Sequence, residues 1–399
     1  MNKATLDDLD VTGRRVLLRE DFNVPMRDGA IADDRRIRAA LPTIEALRAR
    51  GARIIVVTHL GRPKGTVDRA LSVAPVAARL GELLHIAVQV APDVAGSGAH
   101  DMVASLHDGD VAMLENVRFE AGEEANDPAF AARLASLAEV YVNDAFGTAH
   151  RAHASTEGVA HLLPSAAGRL MARELEVLSS VLEHPRPPVL AIVGGAKIST
   201  KVGVLSHLLE RVDTLWVGGA MACTFFRAQG FETGRSLVEP EHVDTARRLL
   251  EGGAARRGAL RLPADVVVAP STDAAAPTSV VAAGDIPADQ MVVDVGPETC
   301  AAIAADCAAA GTIIWNGPLG IYEIPAFAAG TRSVARAVAD AAGFSLIGGG
   351  DLAAAVQDAG VADRIDHIST GGGATIEYLE GRTLPGLAAI QNREPSPAR

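Results

Sequence analysis

The stretch VLAIVGGAKISTKVGVL, residues 189–205, contains the pattern on which the fold prediction rests. Val189 to Val193 form an uninterrupted apolar run, which is typical of a strand covered on both faces of a parallel sheet. Gly194 and Gly195 then predict a tight turn, and the residues from Ala196 onward predict a helix. The stretch therefore predicts one βα unit, with exposed backbone N–H groups at the start of its helix.

The same rhythm of apolar run, turn and helical pattern recurs along the chain. Helical patterns such as Ile37 to Arg50 and Thr331 to Ala341 alternate with the apolar runs. This alternation predicts an α/β fold whose parallel sheets are covered by helices. The other predicted strands are Val16 to Arg19, Arg53 to Thr58, Val111 to Leu114, Val140 to Asn143, Thr214 to Val217, Val266 to Val268, Thr312 to Trp315, Phe344 to Ile347 and His367 to Ser369.

The length of the chain predicts two domains. Its 399 residues are too many for one ordinary core, and the 48% of apolar residues are enough for two. Pro185, Pro187 and Pro188 follow a long helical pattern and predict its end. We predict that this helix, residues 169–184, joins an N-terminal domain to a C-terminal domain that starts at residue 185.

The charge and the apolar pattern exclude several classes of function. A net charge of −12 makes the chain a poor general binder of nucleic acid or anionic membranes. No apolar run approaches the roughly 20 residues that span a bilayer, and the N-terminus does not resemble a signal peptide. The three cysteines have no zinc-site spacing, and Cys300 and Cys307 are predicted to be core residues. We therefore expect a cytoplasmic protein with neither nucleic acid nor membrane as a partner.

Charged side chains follow several predicted strands of the first half of the chain. In open α/β sheets the carboxyl ends of the strands line one crevice, where ligands bind. Four arginines and a histidine converging there predict a pocket for a small, highly charged anion. Each residue taken singly also has a structural explanation. A single arginine is usually a solvated surface residue, and Asp21 and Asn23 are also typical of a turn. The set comprises Asp21, Asn23, Arg36, His59, Arg62, Arg118 and Arg151.

The second half has two lysines at the start of its first predicted helix. Lys197 and Lys201 are at positions i and i+4, on one face of that helix. Each opposes the helix dipole at a cost of about 0.3–1 kcal/mol, which is reasonable if an anion binds beside them. A pair of solvated lysines is the alternative interpretation.

Further glycine turns precede helices at Gly348 to Gly350 and at Gly371 to Gly373. Each presents N–H groups suited to a phosphate. The first also matches the dinucleotide pattern G-x-G-x-x-A, and it suggests a nicotinamide-dependent oxidoreductase as a second function. The next strand ends without the acidic residue that holds a ribose, which counts against that function.

Three polar residues near these turns are open to two interpretations. Asp351 either caps a helix or holds a metal ion on phosphates. Asn316 and Glu323 are candidates for the polar groups of a nucleotide, and Glu323 is equally explained as a surface loop residue. A glycine-lined polyphosphate site in one domain and a cationic pocket in the other predict phosphoryl transfer.

From end to end, the chain resembles the phosphoglycerate kinase family. Several of the matching segments exceed ten residues, and they follow the family's order. The segments are LLREDFNVPMRDGAIADDRRIRAALPTI, THLGRPKG, LENVRFEAGEEANDPAFAARLA, YVNDAFGTAHRAHAST, GGAKISTKVGVL, DIPADQMVVDVGPET, WNGPLGIYE, IGGGD and STGGGATIEYLEGRTLPG.

The resemblance implies two Rossmann-like, three-layer domains joined by an interdomain helix and separated by a cleft. It implies an N-terminal domain of residues 1–168 and 385–399, which binds 3-phosphoglycerate, and a nucleotide-binding domain of residues 185–384. The implied reaction is reversible in-line phosphoryl transfer between 1,3-bisphosphoglycerate and Mg-ADP, giving 3-phosphoglycerate and ATP. The implied cofactor is Mg²⁺, and the implied state is a monomer.

The resemblance also assigns roles to individual residues. The substrate-binding positions are Asp21, Phe22, Asn23, Arg36, His59, Leu60, Gly61, Arg62, Arg118 and Arg151. The nucleotide-binding positions are Lys201, Asn316, Glu323, Gly349, Gly350, Asp351 and Leu352, with Asp351 also the metal-associated acid. The catalytic positions are Arg36, Lys197, Gly371 and Gly372.

Three residues depart from the family's pattern. Leu352 replaces the usual Thr or Ser, so a hydroxyl that would touch phosphate or metal is missing. This absence is the one argument for a catalytically weak homologue that serves as a binding protein. Glu20 replaces an apolar residue beside Asp21, and we expect its charge to stay solvated at the strand end. Arg169 replaces an apolar residue and is expected to alter the packing of the interdomain helix.

Overall fold

The structure is a computed structural model that describes residues 2–252 and 258–393. The chain folds into two compact units. Unit 1 takes the described residues of Met1–Glu176 and Thr383–Arg399, and unit 2 comprises Val177–Arg382. The domain limits given above, with residues 169–184 as a separate helix, stay a prediction.

Unit 1 is built on a six-stranded parallel sheet with the strand order β5-β6-β4-β1-β7-β8. Residues at alternate positions of β1 enter two separate cores, with Leu18 on one face and Leu17 on the other. The sheet is therefore buried on both faces, as its apolar runs predict. The short strands β2 and β3 form an antiparallel hairpin. The strands are β1 (Arg15–Arg19), β2 (Met26–Arg27), β3 (Ala30–Ile31), β4 (Arg53–Val57), β5 (Gln89–Val90), β6 (Val111–Met113), β7 (Val140–Asn143) and β8 (Ser165–Ala167).

Helices cover both faces of this sheet. Ile37 and Leu80 join the core on the face of Leu18, and Val103 and Phe130 join the core on the face of Leu17. The helices are α1 (Arg35–Ala49), α2 (Ala74–Leu84), α3 (Ser97–Ala104), α4 (Ala121–Glu124), α5 (Pro128–Ala135) and α6 (Arg169–Glu183).

Helix α6 contains the boundary between the units, and it ends just before Pro185 because proline stops a helix. Its first turn donates to Asp144, with the Met171 N–H at 3.0 Å. Arg169 is exposed, and its guanidinium lies 3.5 Å from the Pro42 carbonyl of α1. The side chain therefore stays at the surface, and the expected change in packing is not seen at this position.

Unit 2 contains a second six-stranded parallel sheet, with the order β11-β10-β9-β15-β16-β17. Trp315 and Ile347 lie in its core with Leu352 and the thiols of Cys300 and Cys307. Both cysteines are unpaired and buried, which confirms their prediction as core residues. The sheet strands are β9 (Val189–Val193), β10 (Thr214–Val217), β11 (Ala259–Arg261), β15 (Thr312–Asn316), β16 (Phe344–Gly348) and β17 (His367–Ile368).

The prediction of Val266 to Val268 as a strand of the parallel sheet is wrong in its placement. The segment lies in a separate three-stranded antiparallel sheet, in the order β13-β12-β14. Loops without a helix join these strands, and such loops connect antiparallel strands, whereas parallel strands require a crossover. The strands are β12 (Asp265–Ala269), β13 (Ser279–Ala282) and β14 (Met291–Val295).

The helices of unit 2 alternate with its parallel strands, and one last helix belongs to unit 1. Within the described part of the chain, no helix is long and apolar enough to cross a membrane. The helices are α7 (Val202–Leu209), α8 (Ala222–Ala228), α9 (Val243–Glu251), α10 (Pro297–Ala309), α11 (Ala329–Asp340), α12 (Gly350–Asp358), α13 (Gly373–Leu379) and, in unit 1, α14 (Pro385–Ala388).

Candidate active-site residues

The carboxyl end of β1 lies between the ends of β4 and β7. Arg19 is in register with Val57 on one side and with Asn143 on the other. The residues that follow these strands therefore come side by side at one edge of the sheet, although they are far apart in sequence. This is the arrangement that the strand-end rule predicts.

Hydrogen bonds lock the loop after β1 to the loop after β4. Asn23 accepts from the Gly61 N–H at 2.9 Å, and the Phe22 N–H donates to Thr58 Oγ1 at 2.9 Å. Arg36, in the first turn of α1, donates to Asp21 at 2.6 Å. These contacts bring together the first members of the predicted substrate set.

His59 is buried beside four guanidinium groups. Burial holds its pKa well below the usual range, and the charges of Arg19, Arg118, Arg151 and Arg36 lower it further. The imidazole is therefore neutral at physiological pH. The positive charges of these four arginines therefore act on one buried ring of unit 1, as a site for a polyanion requires.

Arg19 belongs to this cluster, although the sequence did not single it out. It is 1% exposed, and its guanidinium donates to Ser155 Oγ at 2.9 Å and to the backbone carbonyl of Glu20. Its Nη2 atom lies 3.2 Å from His59 Nδ1. Because arginine only donates, Nδ1 must accept, and the neutral ring carries its proton on Nε2.

The other arginines differ in exposure. Arg118 is buried, donates to the Gly61 carbonyl at 2.8 Å and lies 3.2 Å from Glu124. Arg151 donates to His150 Nε2 at 3.2 Å, whereas Arg62 is exposed.

A buried carboxylate balances part of this positive charge. Glu123 accepts from the N–H of Ser155 at 2.9 Å and from its hydroxyl at 2.6 Å. The hydroxyl in turn accepts from Arg19. Nothing in the local sequence distinguishes Glu123 from its neighbour Glu124, so only the fold reveals this role.

The expectation that Glu20 stays solvated is wrong. Its N–H donates to the Val57 carbonyl, which continues the ladder of the central strand, so the side chain enters the interior. Glu20 is 1% exposed, and its Oε1 atom has no hydrogen-bond partner among the described residues. Burial raises its pKa well above the usual value, and the nearby charge of Asp144 raises it further.

Replacing Glu20 by glutamine is expected to stabilise the protein increasingly as the pH rises. The folded pKa exceeds the unfolded value of about 4.3, so the stability of the native protein falls as the pH rises above about 4.3. Glutamine does not titrate, so the variant keeps its stability as the pH rises. We expect its free energy of unfolding to exceed that of the native protein by about 1–3 kcal/mol at pH 8. Urea unfolding at pH 5 and pH 8 measures the gain. Glu45→Gln, on the exposed surface of α1, is the control, and an equal effect of the two variants at pH 8 would contradict the prediction.

Unit 2 places its glycine turns at the ends of β9, β15 and β16. Asn316 is in register with Val193 and with Gly348. A Cβ atom on Gly194 would lie 2.1 Å from the Pro318 carbonyl, so the turn after β9 admits only glycine. Gly349 has a φ of +102°, which L-side chains rarely adopt, and it precedes the first turn of α12.

The prediction that Lys197 and Lys201 share one helical face is wrong. A 3-10 turn, Ile198–Thr200, separates the two lysines, and α7 begins only at Val202. The reason is tertiary, because a carboxylate from another segment, Glu239, binds the backbone of this turn. The lysines therefore flank a turn at the carboxyl end of β9, and Lys197 is exposed.

The side chain of Lys201 is held in place by hydrogen bonds within unit 2. Its ammonium group donates to Asn316 Oδ1, and Asn316 Nδ2 donates to the Gly348 carbonyl at 2.9 Å. Burial lowers the pKa of Lys201, whereas the charges of Glu380 and Asp351 raise it. The structure thus brings Lys201, Asn316 and the turn before α12 together.

Asp351 and Glu323 are both exposed and lie near one tyrosine. Burial raises the pKa of Tyr322, and the charges of Asp351 and Glu323 contribute to the rise. The last glycine turn presents fewer free donors than predicted, because the Gly371 N–H donates to Ser369 Oγ at 3.2 Å. Gly372, with a φ of +51°, precedes α13.

Leu352 points into the core of unit 2. It is fully buried in the cluster that contains Ile347 and Val356. Its side chain is therefore enclosed by the core, and only its backbone is available to contact a ligand. In this conformation a hydroxyl at position 352 would be buried among apolar side chains.

Two α/β units, one with an arginine cluster and the other with lysines and glycine turns at strand ends, define a phosphotransferase. The profile of the family described as "Phosphoglycerate kinase" matches residues 6–382. The chain therefore belongs to the phosphoglycerate kinase family, which confirms the predicted family and fold class.

Individual relatives agree with this assignment. The chain is 55% identical to the phosphoglycerate kinase of Thermomicrobium roseum, over 97% of this chain and 98% of that one. It is 52% identical to the enzyme of Pelotomaculum thermopropionicum, over 98% and 100% of the two chains. The structure of phosphoglycerate kinase from Coxiella burnetii superposes with a TM-score of 0.88 at 42% identity, over 97% and 98% of the chains.

The predicted reaction is confirmed with the family. The enzyme transfers a phosphoryl group reversibly between 1,3-bisphosphoglycerate and ADP, giving 3-phosphoglycerate and ATP, a step of glycolysis.

Proposed function

We propose that the arginine cluster of unit 1 binds 3-phosphoglycerate and the acyl phosphate formed from it. The observation that carries this proposal is the convergence of four guanidinium groups on the buried, neutral His59. Arginine forks suit both the carboxylate and the phosphate of this ligand. The proposed binding residues are Asp21, Phe22, Asn23, Arg36, His59, Leu60, Gly61, Arg62, Arg118 and Arg151.

The nucleotide binds on unit 2, at the carboxyl ends of β9, β15 and β16. Support comes from the link between Lys201 and Asn316 and from the N–H groups at the start of α12. The proposed nucleotide-binding residues are Lys201, Asn316, Glu323, Gly349, Gly350, Asp351 and Leu352, the last through its backbone.

Transfer needs no general base. In the direction of ATP consumption the acceptor is a carboxylate, which is ionised above about pH 4. It carries no proton that a base such as the neutral His59 would have to remove. Arg36 and Lys197, with the N–H groups near Gly371 and Gly372, stabilise the charge of the phosphoryl group in transit. Because the ligands bind on different units, a closure step brings them together and excludes water.

Mg²⁺ accompanies the nucleotide. One exposed carboxylate, Asp351, lies in the first turn of α12 beside the proposed phosphate-binding residues. This donor set fits Mg²⁺, which keeps several waters and binds through one or two carboxylates and the phosphates of its substrate. Asp351 would hold the ion, which neutralises phosphate charge during transfer.

The enzyme acts as a monomer in the cytoplasm. Large apolar side chains are exposed at few positions of the described ranges, namely Val67, Leu162, Phe231, Leu237 and Val280, which supports a monomer. The three free, buried cysteines are compatible with a reducing compartment.

A coupled assay with 3-phosphoglycerate and Mg-ATP tests the proposal, on the native protein and on Leu352→Thr in parallel. We expect turnover by the native protein, its loss on chelation with EDTA and its return with added Mg²⁺. Leu352→Thr is expected to be no faster and to be destabilised by about 2–4 kcal/mol, because it removes buried methyl groups and buries a hydroxyl. An inactive native protein that recovers activity in Leu352→Thr would instead favour the weak homologue.

A further inference from the structure

The turn between Lys197 and Lys201 is held by a carboxylate that lies 40 residues further along the chain. Glu239 accepts from the Ser199 N–H at 3.1 Å and from the Ser199 hydroxyl at 2.5 Å. Partial burial raises the pKa of Glu239, but the hydrogen bonds from Ser199 outweigh this effect and lower it. A single side chain therefore binds both the backbone N–H and the hydroxyl of Ser199.

Few contacts within the turn itself maintain its shape. The Lys201 N–H donates to the Ile198 carbonyl at 2.8 Å, and Thr200 Oγ1 donates to the Lys197 carbonyl at 2.9 Å. The turn follows Gly195, a residue without a side chain to restrain the backbone. An outside anchor is therefore needed to keep one conformation.

Helix α8 supplies the support for that anchor. The Glu239 N–H donates to Oγ1 of the buried Thr224 at 3.2 Å. The N–H of Met221, just before α8, donates to the Gly195 carbonyl at 3.1 Å. The start of α8 therefore holds the loop of residues 195–201 at two points. It binds Gly195 directly through Met221, and it binds Ser199 indirectly, because Thr224 supports Glu239.

We propose that Glu239 is a positioning residue for phosphoryl transfer, which holds the turn so that Lys197 and Lys201 face the nucleotide phosphates. This inference rests on the assignment of the two lysines proposed above. It has a consequence for binding. The Ser199 N–H is occupied by Glu239, so the phosphates are bound by the lysines and by other N–H groups of the loop.

Steady-state kinetics of Glu239→Gln in the full-length enzyme test this role. Glutamine keeps the shape and one acceptor but loses the charge that binds the two donors. We expect kcat/KM for ATP to fall about tenfold, as small displacements of catalytic groups do. KM for 3-phosphoglycerate is expected to stay unchanged, since that ligand binds on the other unit, and the Tm is expected to fall by no more than about 4 °C.

Glu241→Gln is the matched control. Carboxylate oxygens of Glu239 and Glu241 lie within 4.8 Å of each other, so the two variants remove the same charge from almost the same place. Glu241 is exposed and is not a partner of Ser199. Equal values of kcat/KM for ATP in the two variants would overturn the proposal. So would a Glu239→Gln variant in which the KM values for both substrates rise in step with a large loss of Tm.

Ser199→Ala provides an independent test if Glu239→Gln does not fold. It removes one of the donors and leaves the carboxylate in place, and kcat/KM for ATP is expected to fall about threefold. The double variant is expected to be no worse than Glu239→Gln, because both changes break one interaction. An unchanged kcat/KM for ATP in Ser199→Ala would overturn the proposal. A native KM for ATP in Lys201→Ala would instead refute the assignment of the nucleotide site.

Discussion

Replacing Arg36 by alanine is expected to lower kcat about a thousandfold with 3-phosphoglycerate and Mg-ATP as substrates. The guanidinium lies in the first turn of α1 and is oriented by Asp21 at 2.6 Å. Its side chain is 39% exposed, and its charge helps to lower the pKa of the buried His59. Removal takes away the unit 1 cation assigned to the phosphoryl group in transit.

The control for this prediction is Arg38→Ala. Arg38 is on the same helix, exposed and paired with Asp34, so the variant removes a similar charge away from the cluster. We expect its kcat to stay within about twofold of the native value, as for most exposed ion pairs. Coupled assays measure kcat of both variants, and thermal unfolding checks that both are folded. An Arg36→Ala enzyme with a tenth or more of the native kcat would remove Arg36 from the catalytic residues.

Replacing Lys197 by methionine is expected to lower kcat about a hundredfold and to change KM for ATP little. Methionine keeps most of the length of the side chain and removes its charge. Lys197 is exposed beside the turn Ile198–Thr200, so the change breaks no buried contact of the fold. The loss therefore reports on charge stabilisation during transfer.

Lys201→Met provides the contrast. Lys201 is hydrogen-bonded to Asn316, and its loss is expected to raise KM for ATP as well as to lower kcat. Arg247→Met, on the exposed surface of α9 and paired with Asp244, is the control for removing a cation from unit 2 and is expected to be native-like. Initial rates over a range of ATP concentrations separate the effects. A Lys197→Met enzyme whose only change is a higher KM for ATP would assign Lys197 to binding rather than to transfer.

The sequence alone determined most strands of the parallel sheets, although it missed the short strands β5, β8 and β11. Apolar runs such as Val189 to Val193 have no polar alternation, and only a strand covered on both faces explains such a run in a chain of this kind. The same rule singled out the proposed substrate residues, because side chains that follow neighbouring parallel strands meet at one edge. Asp21 and His59 were found in this way, and the family resemblance then supplied their chemistry.

The sequence did not determine which charged residues are buried. Arg19 and Glu20 are consecutive charges at a strand end, a pattern that usually means exposure to solvent. Their burial follows from the position of β1 between β4 and β7, together with the contacts of Ser155 and Asp144. These partners are more than 120 residues away along the chain, and no local pattern reports them.

The conformation of the lysine turn was likewise decided by the tertiary structure. Local preference favours a helix from Ala196 onward, and the observed helix starts only at Val202 because Glu239 binds the backbone of Ser199. Local sequence determines periodicity and therefore the elements. The fold decides which distant groups compete for a backbone N–H or bury a charge, because those interactions depend on distance in space and not on separation along the chain.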